Sequence, residues 1–260
     1  MTALPILVQF VFRLTFGMAL SMAATPSSLV TAGFYRVHLW VLMGLNTFAS
    51  LALYYSATTP AAKAAFAIAI ALTVASYVGA VIWLYERKRA GWFALMLVMA
   101  GGLAGALLAT DWSRFAVVWL GAGDILSSGL MMGTVMTAML LGHWYLNTPT
   151  MVLAPLQRLV RWSGGSTLLR AAVCGVGIAS FLMGDGPGEG AAVDFTFWLF
   201  VGFRWLAGLL GVGLMIYMTR ETLKVPNTQS ATGILYAAVI LVFLGELVGQ
   251  LLTVDARHPM

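Results

Sequence analysis

Apolar runs of about 18 or more residues recur from one end of this chain to the other, each long enough to cross a bilayer core as a helix. Only helices and closed barrels span lipid, because every backbone N–H and C=O must find a partner inside the protein. A barrel needs short alternating segments, and the sequence has none. The expected fold is therefore all-α: a polytopic integral membrane protein built as a bundle of about eight transmembrane helices. Charged residues make up 9% of the chain and hydrophobic ones 61%, whereas soluble domains carry roughly 25% charged residues. Residues 1–260 are read as a single transmembrane domain.

The helices are placed near 4–24, 34–57, 62–85, 91–110, 115–146, 167–183, 194–219 and 230–254. Breakers separate them: Pro26 with Ser27 and Ser28, Pro60, the run Glu86 to Arg89, Asp111 to Arg114, Pro149 with Pro155, the GDGPGEG stretch from Gly184, and Pro226 with Asn227. The first segment lacks the positively charged start of a signal peptide, and Arg13 interrupts its apolar core, so it is read as a membrane helix.

Loop charge sets the orientation. Arg36, Arg87, Lys88, Arg89, Arg158, Arg161, Arg170, Arg220 and Lys224 fall on one side of an eight-helix count, and only Lys63, Arg114 and Arg257 among basic residues on the other. The other side also carries Asp111, Asp185, Glu189, Asp194 and Asp255. The basic side is expected to be cytoplasmic, with both termini outside, in a bacterial cytoplasmic (inner) membrane. The pI of about 9.6 then reflects this bias. No basic stripe with interleaved aromatics suggests nucleic acid, and none is expected as a partner. Residues 147–166 form the longest cytoplasmic connection, and LAPLQRLVRW, from Leu153, reads as a short amphipathic helix at the interface.

Four charged residues lie deep inside apolar segments: Arg13, Asp124, Arg204 and Glu246. At about 1.5 Å rise per residue they fall at nearly one depth. A charge in hydrocarbon faces the bundle interior, where it pairs or lines a polar path. The layer is read either as a buried ion-pair network or as a proton path. Ser127 and Ser128, in GAGDILSSG, are expected to bond to the helix backbone or across an interface. Gly101 with Gly105, Gly129 with Gly133, and Gly245 with Gly249 have the small-xxx-small spacing that lets helices approach closely.

His38 and His143 lie near the cytoplasmic ends of helices of opposite direction. Two such imidazoles suit a bis-histidine haem b, with Gly44 and Gly142 leaving room for the ring and Arg36, Arg158 and Arg161 available to propionates. A quinone or headgroup contact, or an interfacial role beside Trp40 and Trp144, needs the same positions. These histidines are the only metal ligands expected, and only to haem iron. His258 is placed in a solvated tail. Cys174 stands alone, which excludes an internal disulfide and a cysteine-cluster metal site. No P-loop, HExxH, Rossmann fingerprint, nucleophile elbow or CxxCH is present, and no catalytic residue is assigned.

Three functions fit these features. The first is an integral membrane subunit of a bacterial electron-transfer (respiratory-type) complex, contributing a haem b, quinone-facing or proton-path site. The second is a proton- or ion-coupled transporter using the charged layer. The third is a non-catalytic anchor or scaffold. The first and third imply other membrane or peripheral subunits as partners, alongside the lipid bilayer.

Overall fold

A computed structural model describes residues 4–148, 150–185, 194–225 and 227–260, apart from the side chains of Arg114 and Asp185. Pro149, Pro226, Glu189 and most of the GDGPGEG stretch lie outside the described residues. Eight helices are long and apolar enough to cross a membrane. They are α1 (Leu4–Ala23), α2 (Ala32–Ser56), α3 (Pro60–Leu84), α4 (Lys88–Leu108), α5 (Val118–Asn147), α6 (Ala154–Ser180), α7 (Phe195–Thr222) and α8 (Thr228–Ala256). No strand occurs among the described residues.

Local chemistry fixes several helix starts. Thr59 Oγ1 accepts from the Ala62 amide at 3.2 Å, with Pro60 in the first turn of α3. Asp194 Oδ1 accepts from Phe197 N at 2.9 Å and starts α7. Asn227 Oδ1 accepts from Ser230 N at 3.0 Å and starts α8. Each side chain satisfies an amide that the helix itself leaves unpaired.

Two sets of four helices, α1–α4 and α5–α8, meet where α1 packs along α5. Glycine allows that contact. A Cβ on Gly133 would lie 1.9 Å from the Gly17 carbonyl carbon, and one on Gly17 would lie 1.7 Å from the Gly129 oxygen. The two backbones therefore touch, as small residues permit in membrane helices. Both central helices are mostly buried. The outer faces expose Leu51, Phe93, Trp119, Leu168, Leu206 and Ile240, an apolar surface suited to a bilayer.

The start of α1, the α4–α5 connection and the end of α8 share one end of the bundle. Pro5, Thr110, Phe115 and Val254 line one cavity there, and Ala116 N donates to Arg257 O at 3.1 Å. The opposite end holds the close of α1, where Trp92 Nε1 donates to Ala23 O at 3.0 Å.

The chain departs from expectation in three places. The segment from Leu153 and the sixth span, separated in the sequence reading, belong to one unbroken helix from Ala154 to Ser180. Arg158 and Arg161 stay exposed on its first turns, whereas Ser163, Ser166, Thr167 and Arg170 are buried against other helices. Arg170 is consequently fully buried in mid-helix and does not count as a loop charge. Eight basic residues remain on the basic side of the partition. Finally, His258 is 1% exposed. Arg257 adopts the left-handed conformation at φ 58°, and residues 258–260 turn back into the bundle, with Pro259 seated on Gly177.

Candidate functional site

Five side chains form one continuous buried chain of ion pairs. Arg13 Nη1 lies 2.7 Å from Asp124 Oδ2. The other oxygen, Oδ1, accepts from Arg170 Nη1 at 2.6 Å. Arg170 then holds Glu246 in a bidentate grip, Nε to Oε1 and Nη2 to Oε2, both at 3.0 Å. Arg204 Nη2 closes the row on Glu246 Oε1 at 2.7 Å. The charges alternate across α1, α5, α6, α8 and α7. Parallel N–H···O bonds of this kind give geometry as well as energy.

Hydroxyls and backbone add to the shell, and Arg204 Nη1 is left buried with no hydrogen-bond partner among the described residues. Ser128 Oγ accepts from Arg13 Nη1 at 2.9 Å and donates to Ile125 O at 3.2 Å. Ser127 Oγ accepts from Arg170 Nη1 at 3.2 Å and donates to Asp124 O at 3.4 Å. Arg204 Nε donates to Met260 O at 3.2 Å. The guanidinium of Arg204 occupies space that glycine leaves: Cβ atoms on Gly208 and Gly245 would meet its Nη1 at 2.8 and 3.1 Å. Gly208 falls in a π-helical turn, Leu206–Gly211, that begins two residues after Arg204. Such turns recur at functional positions in helices.

All four residues of the expected layer belong to this chain. Arg170 is the fifth, and it is the link between the two acids. The sequence signal for it was a polar stripe on α6: Ser163, Ser166, Thr167 and Arg170 lie at helical spacing and all are buried.

The Arg13–Asp124 end of the row opens onto a cavity of about 120 Å³. Gln9, Thr110, Asp111, Gln250 and Thr253 supply its other polar lining, and Pro5, Ile6, Ala109, Phe115 and Val254 its apolar walls. Gln9 is already engaged, donating to Ala106 O and Thr110 Oγ1, both at 2.9 Å. Gln250 is not. It is 7% exposed, and neither its amide nitrogen nor its oxygen has a hydrogen-bond partner among the described residues. It stands one turn above Glu246 on α8. A buried amide left without partners costs about 1–3 kcal/mol.

The histidines occupy the other end. His38 is buried, its Nδ1 donating to Phe34 O at 2.6 Å. Its ring packs 4.4 Å from Phe34 and 6.2 Å from Trp144. The proton on Nδ1 leaves Nε2 as the lone-pair nitrogen. His143 is exposed, with Nδ1 3.2 Å from the Tyr236 hydroxyl. No ring contact joins the two histidines among the described residues. A Cβ on Gly142 would meet Thr232 Oγ1 at 2.7 Å, so α8 fills that space, whereas Gly44 has nothing within 4 Å. Arg36 lies over the Trp40 ring at 5.6 Å. Among the described residues no group of three or more His, Cys, Asp or Glu is placed to hold a metal ion.

No protein-family model, curated protein or solved structure matches this chain.

Proposed function

We propose that this protein is an integral membrane subunit of a bacterial electron-transfer complex, and that the cavity above Arg13 and Asp124 receives a quinone headgroup. The observation that carries this reading is Gln250: a buried amide with a free donor and a free acceptor, lining one cavity with the Arg13 guanidinium and with apolar Pro5, Ile6, Phe115 and Val254. A quinone carbonyl accepts from Nε2 or from Arg13. A quinol hydroxyl can instead donate to the amide oxygen. One side chain thus serves both redox states. Pro5, Ile6, Phe115 and Val254 suit the ring and the start of the tail. Reduction needs two electrons and two protons. A partner subunit supplies the electrons, and water in the open mouth of the cavity supplies the protons.

The ion-pair row supports a binding site over a conducting path. Both oxygens of Asp124 and both of Glu246 are held by guanidiniums. With every carboxylate oxygen already bonded to a guanidinium, the row is a self-satisfied buried network. The row forms a floor on which the site rests. The cavity lining stops at Arg13 and Asp124.

Photolabelling with an azido-quinone tests the reading. Adducts are expected on peptides spanning Pro5 to Arg13 and Gln250 to Val254, suppressed by excess unlabelled quinone. Adducts confined to the His38 and His143 end would overturn it.

A further inference from the structure

The opposite end of the molecule carries a second hollow, of about 210 Å³, between the start of α6 and the end of α7. Gln157, Val160, Arg161, Arg220, Leu223 and Lys224 line it. Three of those six side chains are cations. Lys224 is paired, its Nζ 2.6 Å from Glu221 Oε2. Arg161 and Arg220 are exposed and have no ion-pair or hydrogen-bond partner among the described residues. Two guanidiniums on different helices thus converge on one hollow with their charge uncompensated. The floor is apolar: Val160 and Leu223 are buried there, at 2% and 3% exposure. Arg158, one turn from Trp162, does not take part; it lies over that ring at 4.6 Å.

We infer that this hollow binds the phosphate of an anionic phospholipid headgroup. Guanidinium forks match phosphate oxygens in pairs. Basic pockets between membrane helices on the positively charged side are where such headgroups are held. A lipid suits the hollow better than a soluble phosphate because its chains can lie on the exposed apolar flanks of α6 and α7, which present Leu168, Leu169, Leu214 and Tyr217. The site is independent of the outer cavity and of what binds there.

Native mass spectrometry of the intact protein, released from nanodiscs mixing phosphatidylglycerol with phosphatidylcholine, tests the inference. The wild type is expected to retain phosphatidylglycerol preferentially. The double variant Arg161→Gln/Arg220→Gln should lose that preference by roughly 30-fold, taking each juxtamembrane cation at its usual strength. Arg158→Gln should retain it. A tenfold molar excess of inorganic phosphate over lipid, roughly, should leave retention unchanged, since a soluble anion lacks the chains. Equal retention in the double variant and the wild type would overturn the site. Displacement by inorganic phosphate would overturn its assignment to lipid. As a second readout on unmutated protein, phosphatidylglycerol should raise the melting temperature above that in phosphatidylcholine alone; no difference would contradict the proposal.

Discussion

Arg170 and Glu246 meet side by side, with two parallel hydrogen bonds of 3.0 Å, fully buried between α6 and α8. The same guanidinium reaches Asp124 at 2.6 Å. Among the described residues Arg170 is therefore the link whose loss takes a partner from both acids at once, leaving Asp124 with Arg13 and Glu246 with Arg204, while Arg13 sits at the end of the row. Arg170→Gln is expected to destabilise the fold by about 3 kcal/mol or more, because its bonds to both acids are lost together and each hydrogen bond to a charged group contributes about 1.5–3 kcal/mol. Arg13→Gln should cost clearly less, since Asp124 keeps Arg170. Thermal unfolding in detergent compares them, and equal losses would count against a continuous row.

The contact of α1 with α5 makes a second prediction. Gly133→Ala introduces a Cβ 1.9 Å from Gly17 backbone, so the helices must separate. Overpacking of this kind costs about 1–3 kcal/mol, and it should also weaken the Arg13–Asp124 pair. Gly44→Ala, with nothing within 4 Å, is the matched control and should be neutral. A neutral Gly133→Ala would mean that α1 and α5 lie further apart than described.

Much of this was legible in the sequence, for a physical reason. Eight spans follow from apolar length and from breakers such as Pro60, because lipid admits few alternatives. Arg13, Asp124, Arg204 and Glu246 stood out because charge is rare in apolar runs. Arg170 was harder. It follows Arg158 and Arg161 on a helix with modest hydropathy at its start, so it read as one more loop charge. Gln250 was masked by its neutrality, although Gln250 and Thr253 continue the face of Glu246 at helical spacing. His258 reads as solvated in the sequence and is buried instead, since a short polar tail carries no sign of folding back into the bundle.

Orientation rests on the basic residues and is open to labelling. Cys174 is fully buried, so the native background should be silent to a membrane-impermeant maleimide. Lys88→Cys is expected to label only after the membrane is opened, and Lys63→Cys in intact cells. The reverse pattern would invert the topology.

The histidine end makes a separate prediction. Haem ligation by His38 and His143 requires a reduced-minus-oxidised spectrum with b-type bands that disappear in both His38→Ala and His143→Ala. If quinone binds above Arg13, those substitutions leave quinone affinity unchanged, because the histidines lie at the far end of the bundle. A fall in affinity in either variant would link the two ends and count against a site confined to the cavity above Arg13.

The most direct measurement is titration of the purified protein in nanodiscs with a short-tailed quinone, followed by quenching of tryptophan fluorescence. Saturable binding is predicted. Gln250→Leu should weaken it about tenfold or more, as loss of a hydrogen bond from a buried site does, without lowering the melting temperature, because the amide has no partner within the protein to lose. Binding that is absent, or equal in wild type and Gln250→Leu, would contradict the assignment of the cavity.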